Sequence, residues 1–257
     1  MVQIKQKEWQ EQWELFRDEE MGLFADWIYP ATLEDFKDKD VLECGCGGGQ
    51  HTSFIAPYAR HITAVDLNAV DIARERNRAF SNIEFIEADI ADMDLKKQFD
   101  IVFAVGVIHH TDDPDKTFAN LKKHVRRGGK LIVWVYSSEG NFLAKRAVEP
   151  VRKLLLAKWD RRRLIYLSRA ITFLMYIPVH TIYRLPLKFL PYYEYFGNFR
   201  QLSFYRNTLN VFDKLNAPQV EFIDRDRVER WFDKREFSGV AISAYKGVSW
   251  RGSGIIR

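Results

Sequence analysis

Glu43 opens a run that reads Glu43-Cys44-Gly45-Cys46-Gly47-Gly48-Gly49. Glycines at alternate positions let a backbone turn sharply and approach a ligand closely, because no Cβ intervenes. A helix opening directly behind them offers N–H groups to a carboxylate or phosphate, which suits a ligand with an anionic tail. The run departs from the dinucleotide fingerprint G-x-G-x-x-G, because the sixth position counted from Gly45 is Gln50. Nicotinamide dinucleotides are therefore not expected to bind. Two acids follow at set distances. Asp66 falls where a carboxylate can accept from both hydroxyls of a ribose, and Asp89 where one can accept from an adenine amino group. His109 and His110 are the candidate bases, since imidazole titrates near neutral pH. Either could instead orient a loop or pack, and a positioning role is favoured for the pair. Asp112, Asp113 and Asp115 flank Pro114 and read as a helix cap. Cys44 and Cys46 are the only cysteines. One residue apart, they make neither an ordinary disulfide nor a metal site, and they read as small residues filling a tight loop.

These residues need elements to hold them, and the chain supplies a regular alternation. Short apolar strands are expected at 40–43, 61–66, 83–86, 101–105 and 131–136, with helices at 50–58, 69–80 and 114–126, the last ended by Gly128-Gly129. Strands and helices alternating at this spacing imply a parallel, doubly wound sheet. A helix at 225–236 and two strands at 240–245 and 249–256 close the chain. The turn at Lys246-Gly247 is too short for a parallel crossover, so one strand near the end must run antiparallel. The expected fold is α/β: a doubly wound, seven-stranded, mostly parallel sheet with one antiparallel strand, plus a helical insert after strand five. The whole chain, 1–257, reads as one domain, with an N-terminal helical segment over 1–36 and the insert over 137–224.

The stretches VLECGCGGG (41–49), AVDLN (64–68), EADI (87–90), FDIVFAVGVIHHTDDP (99–114) and RRGGKLIVWVY (126–136) together resemble the class I S-adenosylmethionine-dependent methyltransferases. Within these they are similar to the type 11 group, which also holds ubiquinone and menaquinone methyltransferases. The resemblance implies S-adenosyl-L-methionine as cofactor; with only the Cys44 and Cys46 pair on offer, no metal is expected. It implies that Glu43, Gly45 and Gly47, with Cys46 between the glycines, cradle the methionine portion. Asp66 would take the ribose, Leu67 would lie against the adenine face, and Asp89 with Ile90 would rim the adenine. The backbone at Ala104 and Val105 would lie near the cofactor's amino group.

The acceptor must be read elsewhere. Residues 141–206 hold thirteen Lys and Arg against three Asp and Glu, a net charge of +10 in a chain of +4, which leaves −6 on the remainder. Leu164 to Leu190 is strongly apolar but interrupted by Arg169, Pro178, Arg184 and Lys188, which argues against a membrane-spanning helix. Lys158, Arg161, Arg162 and Arg163 precede it, and Tyr192, Tyr193, Tyr195 and Phe196 follow. Three readings rank in falling order: a helical lid over the acceptor pocket, a lid that also touches an anionic membrane, and an RNA-binding surface. The expected acceptor is a small or lipid-linked, amphiphilic molecule methylated at O or C. RNA methylation and cofactor binding without turnover are the alternatives. The N-terminal stretch lacks the apolar run of a secretory leader, so the expected location is the cytoplasm, with peripheral contact at the inner membrane surface left open through 141–206.

Overall fold

The computed structural model describes residues 7–17, 20–156 and 159–257, so Lys158 of the basic run lies outside the described residues. Seven strands form one sheet: β1 (Asp40–Cys44), β2 (His61–Asp66), β3 (Ile83–Glu87), β4 (Phe99–Val105), β5 (Val125–Tyr136), β6 (Phe237–Tyr245) and β7 (Ser249–Ile256). Their order is β3-β2-β1-β4-β5-β7-β6. All neighbours pair in parallel except β7, which runs antiparallel to both β5 and β6. The expected sheet is the observed one.

The apolar strands carry two cores, because successive side chains leave opposite faces of a sheet. Val41, Ile62, Ala64, Phe103 and Trp134 face one core, with α2 (Met21–Ile28) and α3 (Gln50–Ile55) packed on them. Leu42, Val65, Val102, Leu131 and Val133 face the other, against α5 (Pro114–Lys123) and α10 (Arg225–Trp231). α4 (Val70–Arg76) joins β2 to β3. Asp113 caps α5, accepting from the N–H of Asp115 and Lys116 at 3.0 Å each, with Pro114 as the first helical residue. Asp115 instead receives Arg227 and the indole N–H of Trp231.

Some boundaries differ from the sequence reading. α5 stops at Lys123, and Gly128-Gly129 sits inside β5 rather than at a helix end. The pairing of β4 with β5 shifts register there, and Gly128 takes φ +75°, so the glycines make a bulge. α10 ends at Trp231, and the N-terminal helix is two: α1 (Lys7–Leu15) and α2.

The insert is largely helical. π-helical turns at Ala144–Val148 and Arg152–Leu156 flank α6 (Glu149–Val151); α7 (Arg161–His180), α8 (Tyr193–Phe199) and α9 (Phe204–Asn216) follow. Leu164 on α7 joins Leu209, Phe212 and Leu215 on α9 in a third, smaller core. α1 docks on this layer. Gln12 donates to Asp213 (3.1 Å), Asn216 donates to the Glu8 carbonyl (3.0 Å), and Arg161 pairs with Glu8 and Glu11. Among the described residues no helix is long and apolar enough to cross a membrane.

Candidate active site

β1 through β4 end at the same sheet edge, and the chain leaves β1 for β2 on one side while β4 lies on the other. Such a switch point opens a crevice outside the strand ends. A cleft of about 290 Å³ lies there.

The glycine loop forms its floor. Gly45, Gly47 and Gly49 adopt φ of +78°, +51° and +78°, a region costly for residues with a Cβ. A Cβ at Gly45 would sit 2.4 Å from Val107, and one at Gly47 2.6 Å from the Trp13 indole, so space as well as φ demands glycine. The N–H groups of Gly45 and Cys46 donate to the Val65 carbonyl at 2.7 and 3.0 Å. Asp66 pins the loop further: its Oδ2 accepts from Gly47 N–H (2.9 Å), and its Oδ1 from the N–H of Asn68 (3.0 Å) and Ala69 (2.9 Å). A carboxylate offers about four lone-pair sites, so Asp66 can hold this turn and still accept from a ligand.

Asp66, Leu67, Asp89, Ile90, Gly45, Cys46, Gly47 and Val105 all line the cleft. Two carboxylates beside an apolar rim of Leu67 and Ile90 fit a nucleoside, whose hydroxyls donate and whose base face is apolar. The side chains of two expected residues do not line the cleft. Ala104 is fully buried among the residues under α5 and α10, because alternate residues of β4 face opposite sides. Glu43 lies behind the loop, 1% exposed. It accepts from the Thr52 hydroxyl (2.5 Å), and its Oε1 has no hydrogen-bond partner. Burial, with the Asp66 charge adding and the Thr52 bond opposing, pushes its carboxyl up to about 8. Cys44 and Cys46 are buried and their thiols pushed well above the ordinary range, first by that burial, so they are neutral fillers of the turn.

The histidines divide. His109 is fully buried, neither ring nitrogen has a hydrogen-bond partner, and its ring lies 4.3 Å from that of Tyr136. Desolvation, then the neighbouring His110 and Lys214, hold it well below its usual range. His110 lines the cleft, with Nδ1 2.8 Å from the Gln219 carbonyl. A carbonyl only accepts, so Nδ1 carries the proton and Nε2 keeps a lone pair. Burial lowers His110 as well, so the ring is neutral at pH 7.

The opposite wall was not foreseen. Arg206, Leu209, Asn210 and Asp213 line it from one face of α9, Trp9, Gln12 and Trp13 from α1, and Trp134 and Tyr136 from alternate positions of β5. Tyr136 donates to Asp213 Oδ2 (2.8 Å), Arg206 donates to Asn210 (2.7 Å), and Trp9 packs on His110 with ring centroids 4.6 Å apart. The i, i+3, i+4, i+7 spacing from 206 to 213 was legible as a helix face. What it faces was not, since α9 reaches the cleft only by folding back across the sheet edge.

Residues 42–133 match the family described as a methyltransferase domain. The stretch 42–133 is a methyltransferase domain by this match, and the sheet with its glycine loop and reversed β7 has the class I S-adenosylmethionine-dependent methyltransferase fold. The domain is similar to the tRNA U34 carboxymethyltransferase of Alteromonas mediterranea, 29% identical over 130 residues, 46% of this chain and 39% of that protein. It is likewise similar to the ubiquinone biosynthesis O-methyltransferase of Rickettsia conorii, 28% identical over 102 residues, 38% of this chain and 35% of that one. The matched region thus spans little more than a third of the length of these curated relatives. Magnesium protoporphyrin IX methyltransferase from Synechocystis, solved with S-adenosylhomocysteine, shares the fold at a TM-score of 0.52. Its identity is 11%, covering 100% of this chain and 89% of that one.

Proposed function

We propose that this chain moves the sulfonium methyl of S-adenosylmethionine to O or C of a small or lipid-linked, amphiphilic acceptor. The observation that carries the reading is one continuous cleft with two unlike walls. The glycine loop with Asp66 and Asp89 suits the cofactor. The α1–α9 wall, aromatic with Arg206, Asn210 and Asp213 set into it, suits an acceptor that is part apolar and part anionic. The cofactor supplies a methyl already activated by positive sulfur. The protein's part is alignment and exclusion of water, and holding reactants in line supplies about 7–11 kcal/mol. The insert acts as the lid, with α9 rather than the apolar α7 as its inner surface, and α1 completes it. His110 takes the acceptor's proton on Nε2 as the methyl arrives, leaving neutral S-adenosylhomocysteine. His109 positions His110 and Tyr136.

The test combines thermal shift with S-adenosylhomocysteine and transfer of tritiated methyl to lipid, RNA and small-molecule fractions. Stabilisation by the ligand and label in the lipid or small-molecule fraction are expected. Label confined to RNA overturns the acceptor reading, and absence of stabilisation overturns the cofactor reading. With the acceptor found, His110→Ala should lower kcat about 100-fold or more, the scale of a lost general base. S-adenosylhomocysteine affinity should stay within about threefold; an unchanged kcat removes His110 from the chemistry.

A further inference from the structure

α7 is apolar on its outside. Leu164, Ser168, Thr172 and Val179 are its buried residues, and the Ser168 and Thr172 hydroxyls bond back to the carbonyls of Leu164 and Ser168. The outward positions carry Tyr166, Phe173, Leu174 and Ile177, each 63–69% exposed. Their spacing is one helical stripe, with Arg162, Arg163 and Arg169 exposed along its N-terminal half. The chain beyond α7 continues the character, with exposed Ile182, Arg184, Leu185, Lys188 and Phe189, the last 81% exposed. From 161 to 193 there are six Lys and Arg and no Asp or Glu. Large side chains exposed side by side on one helix are not a neutral surface, and contiguous apolar patches mark interaction sites.

We propose that this face of α7, with the segment 182–189 after it, docks on an anionic lipid bilayer. Charge decides the occupant. A second copy would bring the same arginines against these across a two-fold axis, and like charges would oppose pairing. A bilayer with anionic headgroups offers an apolar interior and a negative surface together, and an interfacial helix with basic residues beside Tyr, Phe and Leu matches both. α7 lies flat there instead of spanning, because Arg169 and Pro178 interrupt it and the exposed Arg162 and Arg163 at its start stay with the headgroups. No residue of α7 lines the cleft, and α9 lies against α7 and forms the cleft wall. Docking would therefore leave the cleft's residues unobstructed and hold its lid beside the bilayer. Membrane docking stands independently of methyl transfer, since it uses none of the cleft residues.

The test is co-sedimentation of the full chain with vesicles of phosphatidylcholine containing about one-third phosphatidylserine, against pure phosphatidylcholine. Binding to the anionic vesicles that weakens as salt is raised is expected, with little binding to neutral ones. Arg162→Glu/Arg163→Glu/Arg169→Glu should weaken it at least 100-fold, given about fivefold per basic residue at such a surface. Phe173→Ser/Leu174→Ser should weaken it comparably. All five positions are exposed, and calorimetry with S-adenosylhomocysteine on the same variants should show unchanged affinity, separating docking from the cleft. Absence of binding at low salt, or binding indifferent to both variants, overturns the proposal. So does a concentration-dependent dimer in sedimentation velocity that Phe173→Ser/Leu174→Ser abolishes, which would make the face a contact between copies.

Discussion

Asp66→Ala should weaken S-adenosylhomocysteine binding about 100-fold or more by calorimetry, the largest affinity loss expected of any single change in the cleft. Asp66 accepts three backbone N–H bonds, from Gly47, Asn68 and Ala69, before any ligand arrives. Hydrogen bonds to a charged group contribute about 1.5–3 kcal/mol each, so losing one ligand bond alone predicts a tenfold to hundredfold effect. Loss of the Gly47 bond adds to this, because the glycine loop then has one fewer restraint in its left-handed turn and must be reordered when the ligand binds. Asp66→Asn separates the two contributions. The amide oxygen can still accept from the N–H groups of Asn68 and Ala69, while its NH₂ cannot accept from Gly47 or from a hydroxyl. Its affinity should fall between wild type and Asp66→Ala. Equal affinity in wild type and Asp66→Ala would remove Asp66 from the ligand and leave it a turn residue.

The glycine-loop half of the cleft was legible because it is local in sequence. Strand, acid, glycine, helix is a pattern whose parts are neighbours in the chain, and β1 and β2 bring Cys44 beside Val65 simply by pairing. The reversed β7 was legible for the same reason, since the Lys246-Gly247 turn permits no other pairing. The α1–α9 half was not. Trp9 and Trp13 line the same cleft as Arg206 and Asp213 from about two hundred residues away, and nothing in either segment alone names the other. Bulk charge drew attention to 141–206, but bulk charge does not say which face of which helix turns inward. The apolar stretch of α7 turns Tyr166, Phe173, Leu174 and Ile177 outward because α9, with Leu209, Phe212 and Leu215, already covers its inner face. Glu43 is a different case. The position was found, but an acid next to a glycine loop looks like a ligand contact from sequence, and only the fold shows Thr52 closing over it.

That burial has a measurable consequence, and Glu43→Gln should stabilise the protein at alkaline pH. The Glu43 carboxyl is pushed up from about 4.5 to about 8, chiefly because charging it 1% exposed costs its hydration. The folded protein therefore holds this proton more tightly than the unfolded chain does. The stabilisation that follows is complete below about pH 4.5 and is lost as pH rises to about 8. At about 1.4 kcal/mol per pH unit, the loss across that window is on the order of 3–5 kcal/mol. Glutamine has the same shape and its Oε1 can still accept from Thr52, yet it never ionises. Near pH 5 the variant and wild type should melt together. By pH 8 the variant should melt higher by roughly 10 °C, at 2–4 °C per kcal/mol for a chain of this size. Other titrating groups are shared by both proteins and cancel in the difference. Melting curves whose separation does not change between pH 5 and 8 would mean that Glu43 is ionised throughout, with its charge compensated by a partner such as His51, 3.9 Å from Oε1.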